Sequence, residues 1–368
     1  MVRGDEKEKS AMKQDIYFLE KTLKLARMAE GFTSPNPMVG AVLVKSNREI
    51  SCGFHKKSGL PHAEIEAINN AKVNLQGVTL YVNLEPCCHF GKTSPCVDKI
   101  MHSGIKRVVV ATKDPNPVVH GKSINKLKKA GIKVSVGLLR EKARRLNEVF
   151  FKNMEAKRPF VTLKLAQSLD GKITAANGES KWITGKKTRI FAKKLRDKYD
   201  CVLVGANTAI KDNPHLNGFR KIPYKVVIDP RLRVPENSYL LKNNSQKLII
   251  FASDKAKKKK FKKAKIFFIK EKNGSLPVKE ILSTLYRHGI MSVFVEGGSQ
   301  TAAKFFEEKL ADKVYFFIAP IILGGKGALA SIGGKGMPLK DCPYVREITT
   351  EKIGQDILIA GYPDYGSR

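Results

Sequence analysis

The stretch that decides the fold reads His62-Ala-Glu64, then Glu85-Pro-Cys87-Cys-His-Phe-Gly-Lys-Thr-Ser-Pro-Cys96. One imidazole and two thiolates, from His62, Cys87 and Cys96, are a typical ligand set for zinc. Three protein ligands leave the fourth position of a tetrahedral ion open, as in catalytic zinc sites. Glu64 lies two residues after His62, close enough to reach a water molecule there without being a ligand. The pattern predicts one zinc ion with Glu64 as the proton carrier, the arrangement of a hydrolytic deaminase.

Two non-catalytic interpretations of this motif stay open at this stage. Cys88 and His89 stand beside Cys87, so the segment could be a structural metal knuckle, and any single cysteine or histidine could be a packed core residue. The surrounding pattern favours catalysis. The His-Ala-Glu triplet follows Pro61 and opens a predicted helix, and Cys87 follows the strand-like run Val78–Glu85. Both ligand sets therefore fall at turns between regular elements.

Length and composition predict a two-domain enzyme of the cytoplasm. The chain has 368 residues, of which 42% are hydrophobic, and domains typically hold about 150 residues. No apolar run reaches the roughly 18 residues that span a membrane, so no membrane partner is expected. The charged start lacks the apolar stretch of a signal peptide. Six cysteines in so long a chain do not suggest a disulfide framework.

The chain is strongly basic, with 68 Lys and Arg against 34 Asp and Glu, a net charge of +34. Such a field attracts anions, and nucleic acid is one partner to consider. However, the lysines are spread along the whole chain, and the densest run, Lys255–Lys265, is distant in sequence from the zinc motif. A solvated surface or a phosphorylated small substrate explains the charge, and no nucleic-acid partner is expected.

Helical and strand-like patterns alternate in both halves of the chain, which predicts α/β domains, the first of them three-layered. Residues 1–13 are predicted to be a charged tail, and Asp15 to cap the first helix. A basic helix is predicted over Arg140–Asn153, with the domain boundary near residue 155. The predicted strands of the first half are Met38–Val44, Val78–Glu85, Arg107–Thr112 and Lys133–Gly137. Those of the second half are Phe160–Ala166, Cys201–Gly205, Tyr224–Asp229, Leu248–Phe251, Ile266–Ile269, Ser292–Glu296, Val314–Ile318 and Ile357–Ala360.

A glycine pair in the second half is a candidate phosphate-binding element. Glu296-Gly-Gly-Ser299 closes a predicted strand and opens a helix. Glycines let backbone N–H groups approach a phosphate, and the helix N-terminus favours its charge. The same junction also occurs as plain packing, and the second half has no GxGxxG fingerprint.

These motifs, taken together in their order, resemble the bifunctional deaminase/reductase family of riboflavin biosynthesis over residues 14–362. The resemblance implies a cytidine-deaminase-like domain at 14–155 and a dihydrofolate-reductase-like domain at 156–368. Besides the zinc motifs and the Gly-Gly junction, the matching segments are Ser34–Gly40, Leu163–Gly171, Gly178–Thr184 and Asp212–Pro214.

The resemblance implies two successive reactions on one phosphorylated pyrimidine. Zinc-dependent hydrolysis would remove the 2-amino group of 2,5-diamino-6-ribosylamino-4(3H)-pyrimidinone 5′-phosphate. NADPH would then reduce the ribosyl chain, giving 5-amino-6-(5-phosphoribitylamino)uracil. The family also tends to form homo-oligomers.

The resemblance also assigns site residues beyond the zinc ligands and Glu64. The segment His215–Arg220 is one residue longer than the family pattern, so Arg220 is an offset assignment. The expected cofactor-binding residues are Ala166, Trp182, Thr208, Asp212, Gly298, Ser299, Gln300, Thr301, Ala302, Ala303 and Lys304. The expected substrate-binding residues are Lys164, Ser180, Arg196, Leu216, Arg220 and Glu296, with Asn36 and His55 as candidates for the pyrimidine. Of these, Arg196 and Arg220 suit a phosphate.

Two other function classes predict different sequence features. A nucleic-acid or nucleotide deaminase with an appended basic domain would be expected to place its cysteines at C-x-x-C. Here eight residues separate Cys87 from Cys96. A binding protein on an inactive deaminase scaffold would be expected to lack a ligand or the glutamate, and this chain has all of them.

Overall fold

The computed structural model describes residues 2–90, 94–242, 247–257, 261 and 264–366. Outside these ranges lie residues 91–93 of the Glu85–Cys96 motif and five residues of the lysine-rich run Lys255–Lys265, namely 258–260, 262 and 263. The chain divides into two compact units, Met1–Lys157 and Arg158–Arg368. The division falls two residues after the predicted boundary.

The first unit is built on a five-stranded sheet of order β2-β1-β3-β4-β5. β1 pairs antiparallel with β2 and β3, whereas β3, β4 and β5 are parallel. The strands are β1 Gly40–Lys45, β2 Arg48–Phe54, β3 Thr79–Val82, β4 Arg107–Val110 and β5 Lys133–Val136. The helices are α1 Val2–Arg27, α2 Ala63–Asn70, α3 Cys96–His102, α4 Lys122–Lys129, α5 Arg140–Leu146 and α6 Glu148–Ala156.

Helices cover both faces of this sheet, which gives the three layers that the sequence predicts. Side chains alternate along a strand between the two faces. On β1, Ala41 and Leu43 pack with α2, α3 and α4 in one apolar cluster. Val42 and Val44 pack with α1 and α5 in another. The loops at the ends of these elements carry the zinc motifs.

The first helix corrects the prediction for the N-terminus. α1 begins at Val2, so it includes the segment predicted as a charged tail, and Asp15 is not its cap. Residues 6–14 are mostly Glu, Lys, Ala, Met and Gln, which all favour helix. The Asp15 carboxylate is buried and accepts two hydrogen bonds from Arg107, at 2.8 and 2.6 Å, and one from the Tyr81 hydroxyl at 2.8 Å. The aspartate thus links α1 to β3 and β4.

Replacement of Asp15 by alanine is expected to destabilise the first unit by about 2 kcal/mol, because the Arg107 and Tyr81 donors lose their buried acceptor. This loss of stability is at the low end for removal of one partner of a buried ion pair, because the Arg107 side chain is 33% exposed. Chemical denaturation of the two proteins measures the difference. Glu20→Ala is the control on the same helix: Glu20 pairs with Lys142 at an exposed site, where ion pairs contribute little to stability. Equal losses for the two variants would contradict the role of Asp15.

The second unit is built on a nine-stranded sheet of order β10-β9-β8-β7-β11-β6-β12-β14-β13. The strands from β10 to β12 in that order are parallel, and the β13–β14 hairpin adds two antiparallel strands. The strands are β6 Phe160–Ser168, β7 Cys201–Gly205, β8 Tyr224–Ile228, β9 Leu248–Ser253, β10 Lys265–Ile269, β11 Ser292–Val295, β12 Lys313–Ala319, β13 Tyr344–Ile353 and β14 Asp356–Asp364. The helices are α7 Lys186–Leu195, α8 Ala206–Asp212, α9 Tyr239–Lys242, α10 Val278–Arg287 and α11 Ser299–Glu307. Short 3-10 turns occupy Arg196–Lys198 and Leu339–Asp341.

Besides α1, three elements differ from the sequence prediction. β2 and β13 were not predicted, because β2 contains few apolar residues and β13 is an edge strand exposed along most of its length. The basic helix predicted over Arg140–Asn153 is two helices that meet at Asn147.

Among the helices of the described ranges, none combines the length and apolar character that crossing a bilayer requires.

Candidate active sites

The first unit brings the three predicted zinc ligands together. His62 is the residue before α2, Cys96 is the first residue of α3, and Cys87 lies in the loop after β3. Their ligand atoms all lie within 4.8 Å of one another. His62 Nδ1 is 3.2 Å from the Cys96 Sγ and 3.5 Å from the Cys87 Sγ. The starts of two helices and the loop after β3 thus bring the three ligand atoms together.

The residues present fit a zinc ion. Donor atoms 3.2–3.5 Å apart are spaced like vertices of a tetrahedron whose ligand bonds are about 2.0–2.3 Å long. The pKa of the Cys87 thiol is lowered, first because the Cys96 side chain donates a hydrogen bond to it and also because His62 lies close. A thiolate is the form that binds zinc. His62, Cys87 and Cys96 are therefore the residues that would hold the ion.

Glu64 lies in the first turn of α2, beside this cluster and 3% exposed. Burial raises the pKa of its carboxyl group to about 7, an effect that attraction by His62 partly offsets. A carboxyl group with a pKa near neutrality can both accept and return a proton. The geometry and the electrostatics thus agree with the role that the sequence predicts for Glu64.

Asn36 and His55, the two candidates for the pyrimidine, contact each other. His55 Nδ1 is 3.0 Å from the Pro61 carbonyl oxygen, so this nitrogen donates a hydrogen bond. His55 Nε2 is then the acceptor for the Asn36 Nδ2, at 3.1 Å. Burial lowers the pKa of His55, which favours this neutral ring. The Asn36 amide is therefore fixed with its oxygen directed away from His55.

Two asparagines that the sequence analysis missed hold the segment next to Asn36. The Asn147 amide accepts a hydrogen bond from the Met38 N–H at 2.7 Å and donates one to the Met38 carbonyl at 2.9 Å. The Asn83 amide accepts from the Gly40 N–H at 2.8 Å and also donates to Met38. These bonds fix the segment after Asn36 through residues that are up to 109 positions away in the sequence.

The second unit contains a cavity of about 1000 Å³, at the upper end of the range for ligand sites and large enough for two ligands. The carboxyl-terminal ends of the parallel strands β6, β7, β8 and β11 contribute to its wall. Ligands in open α/β sheets bind at this edge. Other parts of the wall come from α7, α8, the start of α11 and the segments 180–184, 213–217 and 274–276.

The Gly-Gly junction lies on the cavity wall at the start of α11. A Cβ atom on Gly297 would lie 2.6 Å from the Thr301 Cβ, and one on Gly205 would lie 2.6 Å from the Thr301 Oγ1. Both positions therefore require glycine for the helix start to approach the strand ends so closely. Backbone N–H groups at such a helix start can bind a phosphate, so the arrangement fits a pyrophosphate-containing cofactor.

Three charged side chains form a buried cluster on the same cavity. Arg196 donates two hydrogen bonds to the Glu296 carboxylate and a third to the Asn217 carbonyl at 3.0 Å. The Lys164 ammonium is 3.6 Å from the same carboxylate. Burial opposes ionisation of Glu296, but attraction by Arg196 and Lys164 outweighs it and lowers its pKa. Two cations and one anion give the cluster a net positive charge, which favours a negatively charged ligand.

Most of the expected reductase residues lie on this cavity. Ala302, Ala303 and Arg220 are not among its lining residues within the described ranges. The two alanines are buried on the inner side of α11, and the Arg220 guanidinium pairs with Asp197. The lining residues include Lys164, Ala166, Ser180, Trp182, Arg196, Thr208, Asp212, Leu216, Glu296, Gly298, Ser299, Gln300, Thr301 and Lys304.

Trp182 is not a core residue, since it is 69% exposed. Its ring lies 4.4 Å from the Arg189 guanidinium carbon, within the range of a cation–π contact. The Ser180 hydroxyl donates a hydrogen bond to Asp212 at 3.3 Å. Residues expected to bind substrate and residues expected to bind cofactor are therefore in direct contact.

Each of the two units matches a known protein family. Residues 12–112 match the cytidine and deoxycytidylate deaminase zinc-binding region, and residues 159–359 match the RibD C-terminal domain. The riboflavin biosynthesis protein RibD of Aquifex aeolicus is 43% identical over 352 residues, which cover 94% of this chain and 97% of that protein.

Two solved structures are similar over nearly the whole chain. Acinetobacter baumannii RibD is 34% identical with a TM-score of 0.87, and the match covers 96% of this chain and 100% of that one. A diaminohydroxyphosphoribosylaminopyrimidine deaminase/5-amino-6-(5-phosphoribosylamino)uracil reductase of Thermotoga maritima is 38% identical with a TM-score of 0.84, at the same coverage. The predicted fold class, a cytidine-deaminase-like unit followed by a dihydrofolate-reductase-like unit, is confirmed. The chain belongs to the RibD family of riboflavin biosynthesis proteins.

Proposed function

We propose that this chain catalyses two successive steps of riboflavin biosynthesis, a zinc-dependent deamination followed by an NADPH-dependent reduction. The substrate of the first step is 2,5-diamino-6-ribosylamino-4(3H)-pyrimidinone 5′-phosphate. The observation that carries the proposal is the presence, in one chain, of a Cys₂His cluster with a buried Glu64 and of a cavity with a Gly-Gly helix start and a cationic cluster. We assign residues 14–155 to the deaminase and 156–368 to the reductase.

In the deaminase, bound zinc supplies Lewis-acid polarisation and lowers the pKa of water at its open position. Glu64 accepts a proton from the attacking water and passes it to the ring nitrogen. It then takes the proton of the new hydroxyl group and gives it to the amino group, which leaves as ammonia. We assign the Asn36 amide to bind the pyrimidine edge. Because His55 fixes the amide orientation, the Asn36 oxygen is available to accept a hydrogen bond from an amino or ring N–H group.

In the reductase, NADPH would supply the hydride for C1′ of the ring-opened imine of the sugar, and the imine nitrogen takes up a proton from solvent. The start of α11 holds the cofactor pyrophosphate with its backbone N–H groups. Lys164 and Glu296 lie within 3.6 Å of each other and bind the polar groups of the ribosyl chain. Arg196, held in place by Glu296, faces the anionic part of the substrate.

Two broader properties belong to the same proposal. We propose that the chain forms homo-oligomers, supported by the exposed apolar side chains Tyr344 and Ile348 on the edge strand β13; analytical ultracentrifugation tests this. We also propose that it works in the cytoplasm. All six cysteines are free thiols, and two of them have to remain reduced to bind zinc.

Removal of the metal tests the assignment of each reaction to its unit. After dialysis against a chelator, ammonia release is expected to be lost, because the thiolates and His62 hold the ion that activates water. Reduction of separately supplied 5-amino-6-(5-phosphoribosylamino)uracil is expected to be unchanged. Zinc added back is expected to restore ammonia release. Deamination by metal-free protein would contradict the proposal.

A further inference from the structure

A stripe of three cations on α7 and the turn after it lines the cavity of the second unit. Arg189, Lys193 and Arg196 are spaced i, i+4 and i+7, so they lie on one face of the helix. All three are cavity-lining residues. Sequence analysis singled out only Arg196. We call these three residues the α7 cation stripe.

The two arginines of the stripe are already engaged by protein groups. Arg196 is bound to Glu296 and to the Asn217 carbonyl. Arg189 lies over Trp182 and donates a hydrogen bond to the Thr184 carbonyl at 2.7 Å. Lys193 is exposed to the cavity, and within the described ranges its ammonium has no ion-pair or hydrogen-bond partner. It is the cation of the stripe that is available to a ligand.

Arg220, the residue expected to share the phosphate with Arg196, is held elsewhere by Asp197. The Asp197 carboxylate is buried and accepts hydrogen bonds from the backbone N–H groups of Phe219, Arg220 and Lys221 at 2.9–3.2 Å. A Cβ atom on Gly218 would lie 2.2 Å from the Asp197 Oδ1, so glycine is required for this close approach. The loop therefore has a fixed shape, and the Arg220 guanidinium, 3.6 Å from the same carboxylate, lies off the cavity wall.

We propose that Lys193 binds the 5′-phosphate of the reductase substrate, in the role that the family pattern gives to Arg220. The inference rests on the proposed function, in which the cavity takes two phosphorylated molecules. The start of α11 offers backbone donors that suit the cofactor pyrophosphate. The α7 cation stripe offers side-chain cations and is continuous, through Arg196, with the Glu296–Lys164 cluster. A flexible lysine reaching from an exposed helix face suits a terminal phosphate.

The test compares Lys193→Gln with Lys194→Gln in the full-length enzyme. Lys194 is the neighbouring cation on α7; its ammonium lies over the Phe219 ring, and Lys194 is not a cavity-lining residue. The two variants lose the same charge from the same helix. For Lys193→Gln, KM for 5-amino-6-(5-phosphoribosylamino)uracil is expected to rise roughly tenfold to a hundredfold through loss of a charge-assisted hydrogen bond. The kcat and the KM for NADPH are expected to match those of Lys194→Gln.

Two further measurements separate phosphate binding from a general structural effect. Lys193→Arg is expected to restore most of the affinity, because it keeps a cation at the same point. Inorganic phosphate is expected to compete with the substrate in the wild-type enzyme and to compete more weakly in Lys193→Gln.

Equal substrate KM values for Lys193→Gln and Lys194→Gln would overturn the inference while leaving the proposed function intact. A rise in the KM for NADPH instead of the substrate would also overturn it, since the lysine would then serve the cofactor. Failure of the wild-type enzyme to reduce the intermediate would overturn the proposed function, and the lysine assignment with it.

Discussion

Replacement of Glu64 by alanine is expected to reduce ammonia release by about 10²–10⁴-fold, the usual contribution of a general acid–base residue. Glu64 is buried beside the three ligand residues, and the alanine side chain has no group that can accept and return the proton. Zinc content is expected to be unchanged, because the ligands are His62, Cys87 and Cys96. The measurement is ammonia release together with metal analysis of the same sample.

Glu66→Ala is the matched control for this experiment. Glu66 lies on the same helix, but its carboxylate pairs with Lys56 at 3.0 Å and it is not part of the zinc cluster. This variant is expected to release ammonia at the wild-type rate. Both variants are expected to reduce supplied 5-amino-6-(5-phosphoribosylamino)uracil normally. Substantial ammonia release by Glu64→Ala would exclude Glu64 as the proton carrier.

Replacement of Arg196 by alanine is expected to raise the reductase KM for its pyrimidine substrate by about a hundredfold. The change removes three hydrogen bonds and leaves the buried Glu296 carboxylate with Lys164 as its remaining cation in this cluster. Steady-state kinetics with varied substrate and fixed NADPH measure the effect. Deamination and zinc content are expected to be unchanged, because the zinc residues lie in the other unit.

Two further arginine variants control for this result. Arg231→Ala removes an exposed arginine that does not line the cavity, and its substrate KM is expected to equal that of wild type. Arg196→Lys keeps the charge but loses the planar two-point contact with Glu296, so an intermediate KM is expected. An unchanged KM for Arg196→Ala would rule out substrate recognition by this cluster.

The sequence was most informative where function depends on short local motifs. His62, Cys87 and Cys96 were predicted as ligands because each lies at the boundary of a helix or strand within a compact motif, and the fold brings those boundaries together. The parallel strands of the second unit were also predicted from a local sequence pattern. Fully buried strands are continuous apolar runs, and β7 matches its predicted range at both ends.

The sequence was less informative where structure depends on partners distant along the chain. Asp15 resembles a helix cap locally, yet its partners are Tyr81 and Arg107. Asn147 lies within a helical pattern, yet its side chain bonds to Met38, 109 positions away. Strand β13 has no apolar run because both of its faces are largely exposed. Local pattern does not encode these contacts.

The position of the cations that we propose for phosphate binding shows the same limit. One extra residue between Leu216 and Arg220 gives no sign of where the arginine points. The position of the Arg220 side chain depends on Asp197, whose carboxylate accepts hydrogen bonds from the loop backbone and fixes the loop. Lys193 in turn is one of many lysines in a basic chain, and its placement on the cavity wall comes from the position of α7.

The most direct test of the central claim is a single time course with freshly prepared 2,5-diamino-6-ribosylamino-4(3H)-pyrimidinone 5′-phosphate, zinc-loaded protein and NADPH. Ammonia release and NADPH oxidation are followed together. The account predicts that ammonia appears first and that NADPH oxidation follows after a lag, as the deaminated intermediate accumulates. NADPH oxidation without prior ammonia release, or neither signal from zinc-loaded protein, would contradict it.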